Sequence, residues 1–188
     1  MSVSRRWTIA DLEQIESKEG ERYEIIGGEL IVTHAPSWRH QHTGSQLNTA
    51  LQNWSNETQR GTTLQVPGLV FSAEDGAIPD MVWTSWERLR AAEDRAGHFT
   101  IAPELIVEIL SPGSDNVRRD RETKLALYSR EGVEEYWIVD QLRRTIDVYR
   151  RAGESLDLVQ TPAGDDVLES SSLPGFCLPI ARIWPPTL

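Results

Sequence analysis

The first third of the chain alternates between helical and strand-like spacing of its apolar residues. The apolar runs at residues 22–26 and 29–33 flank Gly27-Gly28, a pair suited to a tight turn, so they predict a β-hairpin. Helical spacing follows Pro36 and predicts a long amphipathic helix that ends at about Thr58. A short amphipathic helix before the hairpin is predicted by three apolar residues spaced three apart: Ile9, Leu12 and Ile15.

The middle of the chain is typical of strands separated by turns. Short apolar runs between residues 62 and 83 predict two or three strands, and the Arg-, Glu- and Ala-rich segment 86–96 predicts a short exposed helix. The run 104–110 is almost wholly apolar and is followed by Ser-Pro-Gly, which is typical of a strand covered on both faces. We therefore place this strand at the centre of a sheet.

Helical spacing resumes over residues 116–131 and stops at Gly132, a residue type that commonly follows the last turn of a helix. Two further strands are predicted at 135–140 and 145–149, with weaker edge strands after Gly153. The predicted fold class is α/β, in the broad sense that includes α+β, with a central β-sheet flanked by helices.

Composition narrows the class of protein. A length of 188 residues predicts a single domain over residues 1–188, and a hydrophobic fraction of 39% excludes disorder over most of it. The chain has no apolar run long enough for a membrane span or a leader, so we expect a soluble, cytoplasmic protein. The one cysteine, Cys177, is predicted to be a small buried hydrophobe. A net charge of −10 argues against non-specific coating of nucleic acid but leaves room for a local basic patch.

Glu108 is the first candidate for chemistry because it interrupts the apolar strand 104–110. A carboxylate buried in such a strand is costly unless a cation or a metal ion compensates its charge. Strand alternation places Glu108 on the face of Ile106 and Leu110, whereas the residues between them point to the other face. An arginine partner would be an ordinary structural explanation for the same acid.

Asp80 and Lys124 are the other two candidates. Asp80 follows Pro79 where a predicted strand begins, which suits a short acidic ligand or, equally, a turn cap. Lys124 lies at the edge of an apolar helical stripe, should be half-buried, and could also pair with Asp120 one turn earlier. Two acids on adjacent strands and a nearby lysine form the set that metal-dependent phosphodiester hydrolysis requires. The carboxylates would hold Mg²⁺, and the cation would orient water or stabilise charge on the phosphate.

Four segments around these candidates occur in an order typical of one bacterial family: Pro79-Asp80, 103–112, 120–128 and 132–140. This string covers most of the chain, and its Gly-Val-Glu-Glu-Tyr-Trp part is the most specific. The chain thereby resembles the Uma family of restriction-endonuclease-like proteins, a branch of the PD-(D/E)XK nuclease superfamily. Upstream, residues 23–32 and the segment from Pro36 into the long helix resemble the opening of that family.

The resemblance implies a restriction-endonuclease-like core with a mixed sheet of four or five strands. It implies that Asp80, Glu108 and the carbonyl of Ile109 bind Mg²⁺, for which Mn²⁺ could substitute. The superfamily's usual Glu-x-Lys motif is broken because Leu110 holds the lysine position, and in this branch the lysine is thought to lie on the following helix. The resemblance assigns catalytic roles to four residues: Asp80, Glu108, Lys124 and Glu24.

Two further groups of residues remain as candidates. Three arginines could contact a nucleic-acid backbone or simply form a solvated helix start: Arg118, Arg119 and Arg121. His40 lies on the apolar stripe of the long helix, where a hydrogen-bonded packing role is favoured over that of a catalytic base.

The sequence thus predicts a metal-dependent nuclease that hydrolyses DNA. The alternative is a catalytically degenerate protein of the same fold that acts as a binding or assembly module, which the acidic charge and the broken Glu-x-Lys motif favour. The seven tryptophans are also compatible with a homodimer.

Overall fold

The structure is a computed structural model that describes residues 5–16 and 18–187, and these residues form twelve strands. The strands are β1 (Glu21–Ile26), β2 (Glu29–His34), β3 (Gly61–Gln65), β4 (Leu69–Ser72), β5 (Asp75–Ala77), β6 (Met81–Ser85), β7 (Leu105–Ile109), β8 (Glu135–Asp140), β9 (Thr145–Ala152), β10 (Ser155–Gln160), β11 (Val167–Glu169) and β12 (Cys177–Pro179). The α-helices are α1 (Ile9–Leu12), α2 (Trp38–Thr58), α3 (Trp86–Ala92), α4 (Ser114–Arg118) and α5 (Leu125–Glu131). None of these helices is long and apolar enough to cross a bilayer.

A six-stranded sheet in the order β10-β9-β8-β7-β6-β3 forms the centre of the structure. β7 pairs with β8 in parallel and with β6 in antiparallel orientation, so the sheet is mixed. β7 is an interior strand, as its apolar sequence predicts. The sheet has six strands rather than the four or five that the family resemblance implies, and a separate four-stranded sheet has the order β2-β1-β5-β4.

The two faces of β7 contact different apolar clusters, and this alternation matches the prediction. Leu105, Val107 and Ile109 share a cluster with residues of α2, whereas Ile106 and Leu110 share one with residues of α5. Helices therefore cover both faces of the sheet. Because Glu108 follows the period of Ile106, it points to the α5 side.

The β1–β2 hairpin confirms the predicted turn, since Ile26 pairs with Glu29 and both intervening glycines have positive φ angles, 59° at Gly27 and 77° at Gly28. The long helix also ends at Thr58 as predicted. The predicted helix 116–131 is less regular, because a π-helical segment (Arg119–Lys124) separates α4 from α5.

The cysteine prediction is wrong. Cys177 is exposed, because it lies in the two-stranded sheet of β11 and β12 and alternates with the buried Leu178. Strand alternation turns its thiol to the outer face.

Candidate active site

Four elements bring the predicted catalytic residues together. In the antiparallel pair of β6 and β7, Met81 lies opposite Val107, and continuing this register by one residue places Asp80 beside Glu108. β1 of the smaller sheet contributes Glu24, and the π-helical segment contributes Lys124. The site therefore lies where the two sheets and the helix between β7 and β8 meet.

Lys124 is held between two carboxylates. Its Nζ lies 2.9 Å from Oε1 of Glu108 and 2.8 Å from Oε1 of Glu24, which also accepts a hydrogen bond from the backbone N–H of Ile78. Lys124 is 2% exposed rather than half-buried, because two acids surround it that the helical pattern does not reveal. Its partners are these acids and not Asp120, whose carboxylate pairs with Arg119.

The protonation of this cluster follows from its burial. Burial alone would lower the pKa of Lys124, but the carboxylates of Glu108 and Glu24 outweigh that effect and raise the pKa above its usual value. Lys124 is therefore a permanent cation at neutral pH and cannot act as a base. Burial raises the pKa of Glu108 to about 8, although the charge of Lys124 opposes this.

Tyr128 also contacts the site. Its hydroxyl donates to Oε1 of Glu108 across 2.9 Å, while its ring is buried in the apolar cluster on the α5 side of the sheet. Because Lys124 and Tyr128 both use Oε1, they leave Oε2 of Glu108 available to another partner.

Asp80 is fixed by three neighbours. Its Oδ2 accepts a hydrogen bond from the backbone N–H of Ile109 across 2.9 Å and lies 3.1 Å from Nε2 of His40. Its Oδ1 lies 3.5 Å from Nη1 of Arg22. Burial would raise the pKa of Asp80, but His40, the Ile109 N–H and Lys124 outweigh it and lower the pKa. Asp80 is thus an anion at neutral pH.

His40 and Arg22 extend the predicted site. His40 is buried and hydrogen-bonded, as the sequence favours, but its partner is the candidate ligand Asp80, 40 residues away in sequence. The sequence analysis missed Arg22. Strand alternation offers one signal for it, because Arg22 and Glu24 lie two residues apart on β1 and therefore share a face.

The cluster lines a small cavity that opens into a wider groove. The cavity, of ≈ 40 Å³, is bordered by the three acids, Lys124 and Arg119 among others. The neighbouring groove, of ≈ 240 Å³, shares Arg22, His40 and Asp80 with the cavity and continues along α2. A small charged group could thus reach the acids from the groove.

The donor set at the cavity suits Mg²⁺, although it is small. Among residues 5–16 and 18–187, no three His, Cys, Asp or Glu side chains are arranged to hold a metal ion together. Mg²⁺ does not require such a set, because it commonly binds through one or two carboxylates and keeps water or substrate phosphates as its other ligands. Asp80 and Glu108 meet that requirement, since both border the cavity. In each carboxylate only one oxygen contacts two hydrogen-bonding partners, Oδ2 of Asp80 and Oε1 of Glu108, and the second oxygen does not.

The three candidate arginines do not form one surface. Arg119 lines the cavity and makes two hydrogen bonds to the carboxylate of Asp120, at 2.8 and 3.2 Å. Arg121 instead forms an ion pair with Asp147 of β9 and lies 3.8 Å from Asp140. Arg118 is exposed and lies 3.4 Å from Asp115.

Comparison with known proteins places this geometry in a family context. The model of the Uma2 family, described as "Putative restriction endonuclease", matches residues 9–181. The chain is also similar to the crystal structure of a putative nuclease of the DUF820 group from Anabaena variabilis. The TM-score is 0.73 at 19% identity, over 94% of this chain and 96% of that chain, and this likeness shows the fold alone.

The type IIG restriction endonuclease BpuSI matches with a TM-score of 0.37 and 17% identity, over 65% of this chain and 12% of that chain, a likeness too low to use. None of the curated proteins matches this chain.

Proposed function

Because this chain belongs to the Uma2 family of putative restriction endonucleases, we propose that it is a nuclease that hydrolyses DNA with the help of Mg²⁺. One observation carries the proposal. Asp80 and Glu108 meet from adjacent strands at one cavity, and Nζ of Lys124 lies 2.9 Å from Glu108. An acidic pair and a fixed cation form the combination that phosphodiester hydrolysis needs.

The chain's own residues divide the work. Asp80 and Glu108 would hold the ion, with the carbonyl of Ile109 as a further ligand, and His40 positions Asp80. A bound Mg²⁺ would supply positive charge at the scissile phosphate and make water more acidic. Lys124 stays protonated, so it stabilises negative charge on the phosphate or orients water, and Glu24 holds its ammonium in place.

Two arginines, the exposed Arg118 and the cavity-lining Arg119, have a supporting role in this proposal. Arg118 and Arg119 lie at the start of the helix that carries Lys124, where they would contact the DNA backbone. Arg121 is the weakest of the three sequence candidates, because its guanidinium is paired with Asp147 and, unlike that of Arg119, does not line the cavity.

The test is cleavage of plasmid and linear DNA with Mg²⁺ or Mn²⁺ by wild type and by three variants: Asp80→Asn, Glu108→Gln and Lys124→Met. Each variant is expected to lose cleavage by about 100-fold or more, on the scale of losing one preorganised charge at a reaction centre. Glu29→Gln, an exposed acid on the same hairpin as Glu24, is the matched control and should cleave normally.

Two outcomes would contradict the proposal. Cleavage that is unchanged in Asp80→Asn and Lys124→Met would place the activity elsewhere or in a contaminant. A folded wild type that binds no Mn²⁺, with or without DNA, and cleaves nothing would support the degenerate binding or assembly module instead.

A further inference from the structure

A second groove lies beside the candidate active site, at the end of the sheet where β7 and β8 finish. It has a volume of ≈ 430 Å³ and lies between the first turn of α2 and the β8–β9 turn, residues 141–144. Two residues that line this groove are sequence neighbours of site residues, since Arg39 precedes His40 and Leu110 follows Ile109. Gln141 holds the turn against β7 by donating from Nε2 to the carbonyl of Leu110, at 3.4 Å.

The charge of this groove is opposite to that of the chain as a whole. The protein carries 29 acidic residues and a net charge of −10, yet none of the described residues that line this groove is acidic and two are arginines, Arg39 and Arg144. Both arginines are exposed, and neither forms an ion pair with any residue that the structure describes. The guanidinium carbon of Arg39 lies 4.7 Å from the ring centroid of Trp38, which restricts its position.

The turn also presents an apolar side chain. Leu142 is 84% exposed, more than any other large hydrophobic residue that the structure describes. Its place is fixed by Asp140, whose Oδ1 accepts hydrogen bonds from the N–H groups of Leu142 and Arg143, at 3.1 and 2.9 Å. An exposed leucine beside arginines suits contact with a sugar or base next to phosphates.

We propose that this groove binds the DNA strand that flanks the scissile phosphate, with Arg39 and Arg144 on backbone phosphates and Leu142 against a sugar or base. The choice of DNA rests on the proposed function. The assignment of the groove as a binding site rests on the charge and position of the groove, and binding can be measured separately from cleavage. A polyanion is the partner that two unpaired arginines in an acid-free groove recognise.

The test is binding of a fluorescently labelled DNA duplex in Ca²⁺, which can bridge carboxylates and phosphates as Mg²⁺ does. Binding is measured at several salt concentrations for wild type and the double variant Arg39→Gln/Arg144→Gln. We expect the double variant to bind about 10- to 100-fold more weakly and the slope of log K against log salt to fall by about 2. Leu142→Ser should weaken binding about 3- to 10-fold without changing that slope.

The matched control is Arg90→Gln/Arg95→Gln. These arginines are exposed and lie on α3 and in the loop after it, at the other end of β6 from Asp80. The control should bind like wild type. A double variant of Arg39 and Arg144 with wild-type affinity and slope would overturn the groove assignment even if the protein cleaves DNA.

The remaining outcomes separate the two proposals. Arginine-dependent DNA binding without any cleavage would refute the nuclease proposal and support the groove. A wild type that binds a labelled RNA but no DNA, or that binds neither, would overturn the assignment of the groove to DNA.

Discussion

Nζ of Lys124 and Oε1 of Glu108 lie 2.9 Å apart, and these two residues are 2% and 4% exposed. The pair sits where β7 meets the helix that follows it, so the packing of the core and the candidate chemistry depend on the same contact. An isolated charge at such a depth is costly, and each partner compensates the other. Changes made here should therefore alter stability as well as activity.

Lys124→Met should destabilise the fold by about 3–5 kcal/mol, because it leaves the buried carboxylate of Glu24 without its cation and removes a hydrogen bond to Glu108. The free energy of unfolding in urea at neutral pH measures the effect. Lys18→Met is the matched control, since Lys18 is the only other lysine and is exposed, and it should change the free energy by less than about 0.5 kcal/mol.

Adding Glu24→Gln and Glu108→Gln to Lys124→Met should restore part of the lost stability, because the triple variant buries no uncompensated carboxylate. A loss below about 1 kcal/mol in Lys124→Met would contradict the view that Lys124 compensates the buried charge of Glu24.

Glu108→Gln should change the pH dependence of stability in the metal-free protein. The folded-state pKa of Glu108 is about 8, above the ordinary value of 4.5, so its contribution is complete below about pH 4.5 and is lost as the pH rises through about 8. The variant has no such loss. Its stability relative to wild type should therefore rise with pH, by at most about 5 kcal/mol between about pH 5 and pH 9.

Unfolding in urea with a chelator present, at several pH values, would measure this difference. Glu29→Gln should track the wild-type curve at every pH, because Glu29 is exposed. Parallel curves for Glu108→Gln and wild type would mean that Glu108 is not held protonated by burial.

His40→Ala should weaken Mn²⁺ binding about 10- to 100-fold, because a partner that orients a metal ligand is usually worth that much. His40 lies 3.1 Å from Asp80, and His42 on the same helix is the control, since its replacement by Ala should leave binding unchanged. Calorimetric titration measures the affinity. His40→Gln should recover part of it, since a glutamine amide can still donate to Asp80, whereas equal losses in the two variants would point to a packing role alone.

Arg118 and Arg121 should separate DNA binding from stability. Arg121→Gln should cost about 1–3 kcal/mol in unfolding free energy, because the buried Asp147 loses its partner, and should leave DNA affinity unchanged. Arg118→Gln should weaken DNA binding and leave the free energy of unfolding unchanged, since Arg118 is exposed and its removal takes away the proposed phosphate contact. Weaker DNA binding in Arg121→Gln at unchanged stability would overturn this assignment.

The sequence predicts the local features of this fold well. The hairpin, the end of α2 and the alternation along β7 all follow from periodicity and turn residues within a few positions of each other. The family resemblance likewise selected Asp80, Glu108, Lys124 and Glu24, which the structure brings to one cavity or its wall.

The contacts among these residues could not be predicted in the same way. Lys124 meets Glu24 across 100 positions of sequence, and His40 meets Asp80 across 40. No local period encodes such pairs, so the burial of Lys124 and the partner of His40 required the tertiary structure. The separate four-stranded sheet could not be predicted for the same reason, because strand patterns do not show which strands share a sheet.

Oε1 of Glu24 joins three parts of the chain, because one oxygen on β1 accepts from Ile78 before β6 and from Lys124 on the helix. A hinge motion that carried the hairpin outward would break both contacts at once and expose a buried cation. Such opening would cost several kcal/mol. The β1–β2 hairpin should thus stay in place when a ligand binds, and the ligand should enter by the open groove beside Arg22 and His40.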